Sequence, residues 1–372
     1  MADFLFNDVI SSPQGEYFLK TTTNDPQKQI TSSFFRNGTL LEMRTRDFDP
    51  QWSREMLRAK TREFHDEKKE EILMLIQLAE KLRESNQAET KNLLGQAFLR
   101  RGMYEEAILE LEEAIVLNPR LSGIYNNLGS AYMAVKRYDD AITVLEQAIS
   151  MSAGYADYHN NLGVAYLKKE YCKKAVEQFL RALDSNPYYA EAYFNLALAY
   201  VLNAFTKEDF SLSVNCHQKV ADNIEKAAKI NPSYHNEFTE QGQTLMRERK
   251  YEEAYQAFTR AAGLVSKPAD ISFILDFYLR VIYGSKKLSS SLIWRHIRQL
   301  QELIEKYPNY ADLYNHLGVA YVIMSKYVNH KAIQQFDKAM ALNPEYERAR
   351  RNKRLAEYDH KGMQLLFDAI LR

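Results

Sequence analysis

The sequence predicts a mostly helical chain of stacked repeats, preceded by a small antiparallel β region and a long helix. Between Ser122 and Tyr189 the chain says nearly the same thing twice at a shift of 34 residues. Asn127-Leu128-Gly129 with Tyr132 returns as Asn161-Leu162-Gly163 with Tyr166, and Ala141, Leu145 and Ala148 return as Ala175, Phe179 and Ala182. Self-similarity at such a period marks a repeat array, in which each unit buries its apolar face against the next. Composition agrees: Gly and Pro number only 13 and 9 in 372 residues, while Tyr and Phe reach 25 and 18, which suits helices packed through aromatic rings. The first 50 residues lie outside the period and are rich in β-forming side chains.

Residues 1–50 read as three antiparallel strands. Glu16 to Thr22 and Gln29 to Phe35 carry Thr, Ile, Phe and Tyr, with turn chemistry at Asn24-Asp25-Pro26 between them. Asn37-Gly38 sits between Phe34-Phe35 and Leu40-Leu41, a strong signal for a two-residue hairpin turn whose central residues both need positive φ. So small a sheet must bury one face, and the helix that follows is the nearest cover. Residues 51–87 hold no Gly or Pro before Asn86, and Leu57, Phe64, Ile72, Leu75 and Ile76 fall mostly on one stripe, as expected of one long helix or of two with a bend near Asp66. On that charged helix His65 is expected at the surface.

Residues 88–346 then resemble the tetratricopeptide repeat. That family pairs two antiparallel helices, with Leu-Gly and Tyr on the first, Ala, an aromatic or Leu, and Ala on the second, then Pro. Leu94-Gly95, Phe98, Ala107, Leu111, Ala114 and Pro119 fit in the first copy, and Leu162-Gly163, Tyr166, Ala175, Phe179, Ala182 and Pro187 in the third. The small residues Gly129 and Ala141, or Gly163 and Ala175, are expected where the paired helices cross. The copies run 88–121, 122–155, 156–189, 190–234, 235–268, 269–310 and 311–346. The fourth, at 45 residues, exceeds the period by 11, with Phe205 to Phe210 among the additional residues. The sixth is weak, resting on Leu275, Leu279 and Pro308, with Lys286-Lys287 and Ser289-Ser290-Ser291 in an internal loop. The last has two extra residues near Val328-Asn329. The resemblance implies a right-handed α-α superhelix of about seven helix pairs, and residues 347–372 suit a capping helix with a polar outer face.

Lys+Arg and Asp+Glu are both 49, so net charge gives no global pull toward nucleic acid or an anionic membrane. The basic cluster Arg348 to Arg354 is bounded by Glu347 and Glu357 and lacks a stacking platform, which makes nucleic acid an unfavoured partner. No stretch approaches the roughly 18 to 20 apolar residues of a membrane span, and the acidic start Met1 to Asp8 does not read as a secretory signal. With only Cys172 and Cys216, both read as ordinary thiols, the chain is expected to be cytoplasmic.

Catalytic signatures are missing: no phosphate-binding loop, no GxSxG elbow, no HExxH helix, and eight scattered histidines without metal-ligand spacing. No cofactor is expected, and the reading is non-enzymatic. The informative polar residues are Asn127, Asn161 and Asn195, each directly before the Leu-Gly or Leu-Ala pair of its repeat. The repeat resemblance puts first helices on the concave surface, where a column of carboxamides can grip the backbone of an extended peptide. That column resembles the asparagine ladder in the repeat domain of O-linked N-acetylglucosamine transferase. Asn126 and Asn160 widen the strip, Phe194 interrupts it, and Glu240 and His316 replace it in later copies. Hydrogen bonding between neighbouring helices is the competing role for the same residues. The carboxylate clamp of chaperone adaptors is matched only by Asn127. The expected function is an adaptor binding a protein segment in its groove. The alternatives are a repeat array recruiting substrate to an N-terminal ligand-binding or catalytic domain, and a scaffold that associates with itself.

Overall fold

A computed structural model describes residues 4–24, 27–265, 274, 277–278, 281, 289–306, 311–342 and 347–370. The chain divides into two compact units, Met1–Lys267 and Pro268–Arg372.

The first unit begins with four strands rather than three: β1 (Leu5–Ser12), β2 (Gly15–Asn24), β3 (Gln29–Arg36) and β4 (Thr39–Asp47), paired antiparallel in that order. Asn37 and Gly38 both hold positive φ, 49° and 76°, as the hairpin turn requires. One sheet face is apolar and covered, through Ile10, Tyr17, Leu19, Ile30 and Phe34. Helix α1 (Arg54–Lys81) runs unbroken past Asp66, capped by Ser53, whose Oγ accepts from the Met56 N–H at 3.2 Å. It packs on β1, β2 and β3, and Leu57 and Phe64 join Ile30 and Phe48 in one cluster.

His65 does not lie on the surface. The face of α1 that meets the sheet carries it inward, 1% exposed, with Nδ1 2.9 Å from Thr21 Oγ1 and Nε2 2.9 Å from Asp8 Oδ2. The hydrogen bond to His65 holds the Asp8 carboxyl below its ordinary range, assisted by Lys69 and opposed by desolvation. A second polar joint binds the sheet to the first repeat. Tyr17 Oη and Ser12 Oγ both donate to Glu106 Oε1, and Arg36 reaches Glu105 at 2.6 Å.

Helix pairs follow: α2 (Ala88–Arg100) with α3 (Tyr104–Leu117), α4 (Ser122–Ala134) with α5 (Tyr138–Met151), and α6 (Ala156–Lys168) with α7 (Cys172–Ser185). A Cβ on Gly129 would stand 2.5 Å from Leu145, and one on Gly163 2.5 Å from Phe179, so the paired helices cross where no side chain fits. Seven residues after the crossing glycine each pair turns through a left-handed residue: Gly102, Lys136, Glu170 and, in the fifth copy, Arg249. In the fourth copy α8 (Ala190–Thr206) runs on until Lys207 takes that conformation, and the insertion forms the short α9 (Phe210–Ser213) before α10 (Cys216–Ile230). Fully buried Asn203 ties the insertion down: its Nδ2 donates to the Asp209 carbonyl at 2.9 Å and its Oδ1 accepts from the Asp209 N–H at 2.8 Å. Helices α11 (Glu237–Arg247) and α12 (Tyr251–Leu264) complete the unit.

The second unit holds α13 (Ser290–Lys306), α14 (Ala311–Leu342) and α15 (Glu347–Ile370), with α14 packed against both others. Ile293, Ile297, Leu300, Ala320 and Ile323 form its core. Two sequence expectations are corrected here. Ser289-Ser290-Ser291 do not sit within a loop: Ser289 Oγ accepts from the Leu292 N–H at 3.2 Å and α13 begins at Ser290. The last copy is one continuous 32-residue helix rather than a pair. The place of the left-handed turn residue is taken by Ser325, and neither Gly nor Pro interrupts the chain from Val319 to Asn343, so the two extra residues extend the helix. Leu275, Leu279, Pro308, Lys286 and Lys287 lie outside the described residues.

Candidate functional site: the first-helix surface of the repeats

The first helices α2, α4, α6 and α8 contact one another in succession, while each second helix packs against its own partner and against the next first helix. The first helices therefore lie side by side, and all five asparagines singled out by spacing are carried on α4, α6 and α8.

Their geometry is periodic. Asn127 Nδ2 donates to Asn92 Oδ1 at 2.8 Å, Asn161 Nδ2 to Asn126 Oδ1 at 2.9 Å, and Asn195 Nδ2 to Asn160 Oδ1 at 3.0 Å. Each bond spans 35 residues, so the donor position of one repeat meets the position one residue earlier in the repeat before it. Asn126 and Asn160 also reach forward, their Nδ2 groups donating to Asp157 at 3.3 Å and Glu191 at 3.5 Å. Each of these two carboxamides thus holds two side chains one turn apart on the next helix. Asn126, Asn160 and Asn195 are buried, whereas Asn127 and Asn161 are half-buried.

The line stops where its chemistry changes. Phe194 occupies the place of Asn126 and Asn160, is 1% exposed, and stacks on Tyr234 with ring centroids 4.7 Å apart. A second periodic contact was not anticipated: Tyr132 Oη donates to Glu112 and Tyr166 Oη to Glu146, both at 2.6 Å. Glu112 and Glu146 are themselves 34 residues apart, the signal that could have exposed them. Burial and the neighbouring Glu112 push the Tyr132 hydroxyl up to about 12. His159 packs into the third repeat, 4% exposed, with Nε2 3.0 Å from the Ala153 carbonyl.

At the N-terminal sheet the described candidate acids, Asp8 and Asp47, do not converge. Asp8 is engaged by His65 and Lys69, and Asp47 accepts from Gln29 Nε2 at 3.0 Å, on different parts of the sheet; Asp3 and Asp25 lie outside the described residues. A cavity of about 100 Å³ opens between the β1–β2 turn, α1, α2 and α3. Lys91 at its wall is paired with Glu110 at 3.0 Å and Glu113 at 2.7 Å. Among the described residues no three His, Cys, Asp or Glu side chains are grouped to hold a metal, and no helix is long and apolar enough to cross a membrane.

Family models for the tetratricopeptide repeat match residues 95–136, 129–170 and 156–189. Among solved structures, that of MamA is 24% identical, covering 47% of this chain and 96% of its own, with a TM-score of 0.35. YrrB, described as a tetratricopeptide protein with an unusual peptide-binding site, is 17% identical over 52% of this chain and 94% of its own, at a TM-score of 0.37. The first repeat domain of human RPAP3 is 21% identical over 33% of this chain and 97% of its own, at 0.32. No curated protein sequence is significantly similar to the chain.

Proposed function

Because this chain is a tetratricopeptide-repeat protein, its repeats matched by family models over residues 95–189, we propose that it is a non-enzymatic scaffold that holds an extended segment of a partner protein along its first-helix surface. The observation that carries this reading is the asparagine line. Asn127 and Asn161 are half-buried and each has one carboxamide N–H fixed on the preceding repeat. A primary amide has two N–H donors and an acceptor oxygen, so a carboxamide oriented in this way can still meet a peptide backbone. Preorientation lowers the entropy lost on binding.

The five asparagines then divide by role. Asn127 and Asn161 contact the segment, while buried Asn126 positions Asn161 and the bond from buried Asn195 to buried Asn160 locks the fourth repeat in register with the third. Phe194 closes the line, so the backbone grip belongs to the second and third repeats and the face of the fourth. At roughly 0.5–1.5 kcal/mol for each net hydrogen bond, this grip orients a peptide and leaves selectivity to its side chains.

Affinity capture from the native cytosol, with wild-type chain and the Asn127→Ala/Asn161→Ala/Asn195→Ala variant side by side, tests the proposal. A partner retained by the wild type and lost by a helical variant is expected. Retention of the same partner by both would move the functional surface elsewhere.

A further inference from the structure

Among the described residues the N-terminal sheet is covered on one face only. Alternation along the strands sends Leu5, Val9, Phe18, Leu40 and Met43 outward, where Val9, Leu40 and Met43 are 60%, 48% and 58% exposed. The pairing register places three of these outward residues in one line with Phe35. Val9 stands opposite Phe18, Phe18 opposite Phe35, and Phe35 opposite Leu40, with the Phe18 and Phe35 ring centroids 6.4 Å apart. An apolar row across the whole width of a sheet, exposed to water, marks an interaction surface rather than ordinary surface scatter.

The charges beside that row show what fits it. Along the outward positions of β1, β2 and β3 the charged side chains are Glu16 and Lys20, placed symmetrically two residues to either side of Phe18 on β2. We infer that a second copy of this chain docks on this face, about a two-fold axis that runs along the Val9–Phe18–Phe35–Leu40 row. Such an axis reverses strand direction and keeps the order of strands. It lays β2 antiparallel over β2 of the second copy, stacks the apolar row on itself, and sets Glu16 against Lys20 twice. An isologous contact requires a surface complementary to its own image, and opposite charges equidistant from the axis satisfy that requirement.

The size of the face is compatible. Strands eight to ten residues long, about 4.8 Å apart, present on the order of 500 Å² in plan, which the corrugation of the side chains raises toward the lower end of specific interfaces, about 600–1,000 Å² a side. The inference is independent of the groove reading, since β1–β4 and the first-helix surface share no residue.

Sedimentation velocity of the full chain over a concentration series reaching about 0.1 mM decides it. The wild type should pass from the 43.4 kDa monomer toward twice that mass. Lys20→Glu alone, or Glu16→Lys alone, sets like charges together twice and should weaken the dimer by about 100-fold or more. The double variant Glu16→Lys/Lys20→Glu restores opposite pairing and should recover the wild-type affinity to within about tenfold. Val9→Lys, on the row itself and away from Glu16 and Lys20, should also give monomers, with unchanged circular dichroism because its side chain points to solvent. A monomer at every concentration, which would leave the face to a different protein, overturns the inference. So does a dimer indifferent to Lys20→Glu, or loss in the single variants without recovery in the double.

Discussion

Asn161 donates through Nδ2 to the Oδ1 of Asn126 at 2.9 Å, joining the third repeat to the second. The same relationship joins Asn195 to Asn160 and Asn127 to Asn92, so one residue type serves both the register of the stack and the surface it presents.

Asn126→Ala removes the acceptor of Asn161 and the donor to Asp157 together, at a position 8% exposed. It should lower stability by roughly 1–3 kcal/mol, against roughly 0.5–1.5 kcal/mol for half-buried Asn127→Ala. Urea unfolding followed by circular dichroism measures both, as a lower midpoint at unchanged slope. Equal costs would show that burial of Asn126 has no energetic weight.

Gly163→Ala forces a Cβ to 2.5 Å from the Phe179 ring, whereas Gly154 has no heavy atom within 4 Å of an added Cβ. Overpacking at the crossing should cost about 1–3 kcal/mol, offset in part by the better helix propensity of alanine. Gly154→Ala should be neutral or slightly stabilising. Thermal unfolding of the two variants distinguishes the sites.

In the second unit, His296 stacks on Phe277 with centroids 3.8 Å apart and is 3% exposed. Burial pushes its imidazole down to about 3 from an ordinary 6.5, with His316 contributing in the same direction. Between those values the unfolded chain binds a proton that the folded unit does not. Stability is therefore complete above about pH 6.5 and falls as pH drops toward about 3. His296→Phe should flatten that dependence in thermal melts, and an unchanged slope would assign it to other groups.

Cys172 and Cys216 are both buried, and burial pushes the Cys172 thiol up to about 11 and raises that of Cys216. Since the thiolate is the reacting form, neither should be alkylated appreciably by iodoacetamide at pH 8 in the native state, and both should react once urea unfolds the chain. Mass spectrometry of the treated protein reads this directly.

Much of the fold was legible where local chemistry and periodicity agreed. The 34-residue return of Asn-Leu-Gly located the crossings, and Asn37-Gly38 located a hairpin whose turn demands those residues. Strand β1 was not read because its inward positions include Asp8, an acid that alternation alone assigns to solvent. The reason it faces inward is His65, 57 residues further on, whose burial is invisible until α1 is laid on the sheet. The helix through Ser325 escaped for a related reason. Its motif predicts a turn, but whether that turn forms depends on a residue adopting the left-handed conformation, which Lys136, Glu170 and Arg249 do without any glycine to announce it. At the candidate site, spacing picked out the five asparagines and not how they divide, because burial separates Asn126 from Asn127 although they are adjacent in sequence.

The most direct test of the scaffold reading is a binding isotherm. An extended peptide selected from a random library against the wild-type chain would be titrated, by fluorescence anisotropy, into the wild type and into Asn127→Ala/Asn161→Ala. The account predicts at least a tenfold weaker dissociation constant for the variant at unchanged helicity, as the loss of two to three backbone hydrogen bonds of about 1 kcal/mol each requires. An affinity equal to that of the wild type would contradict it.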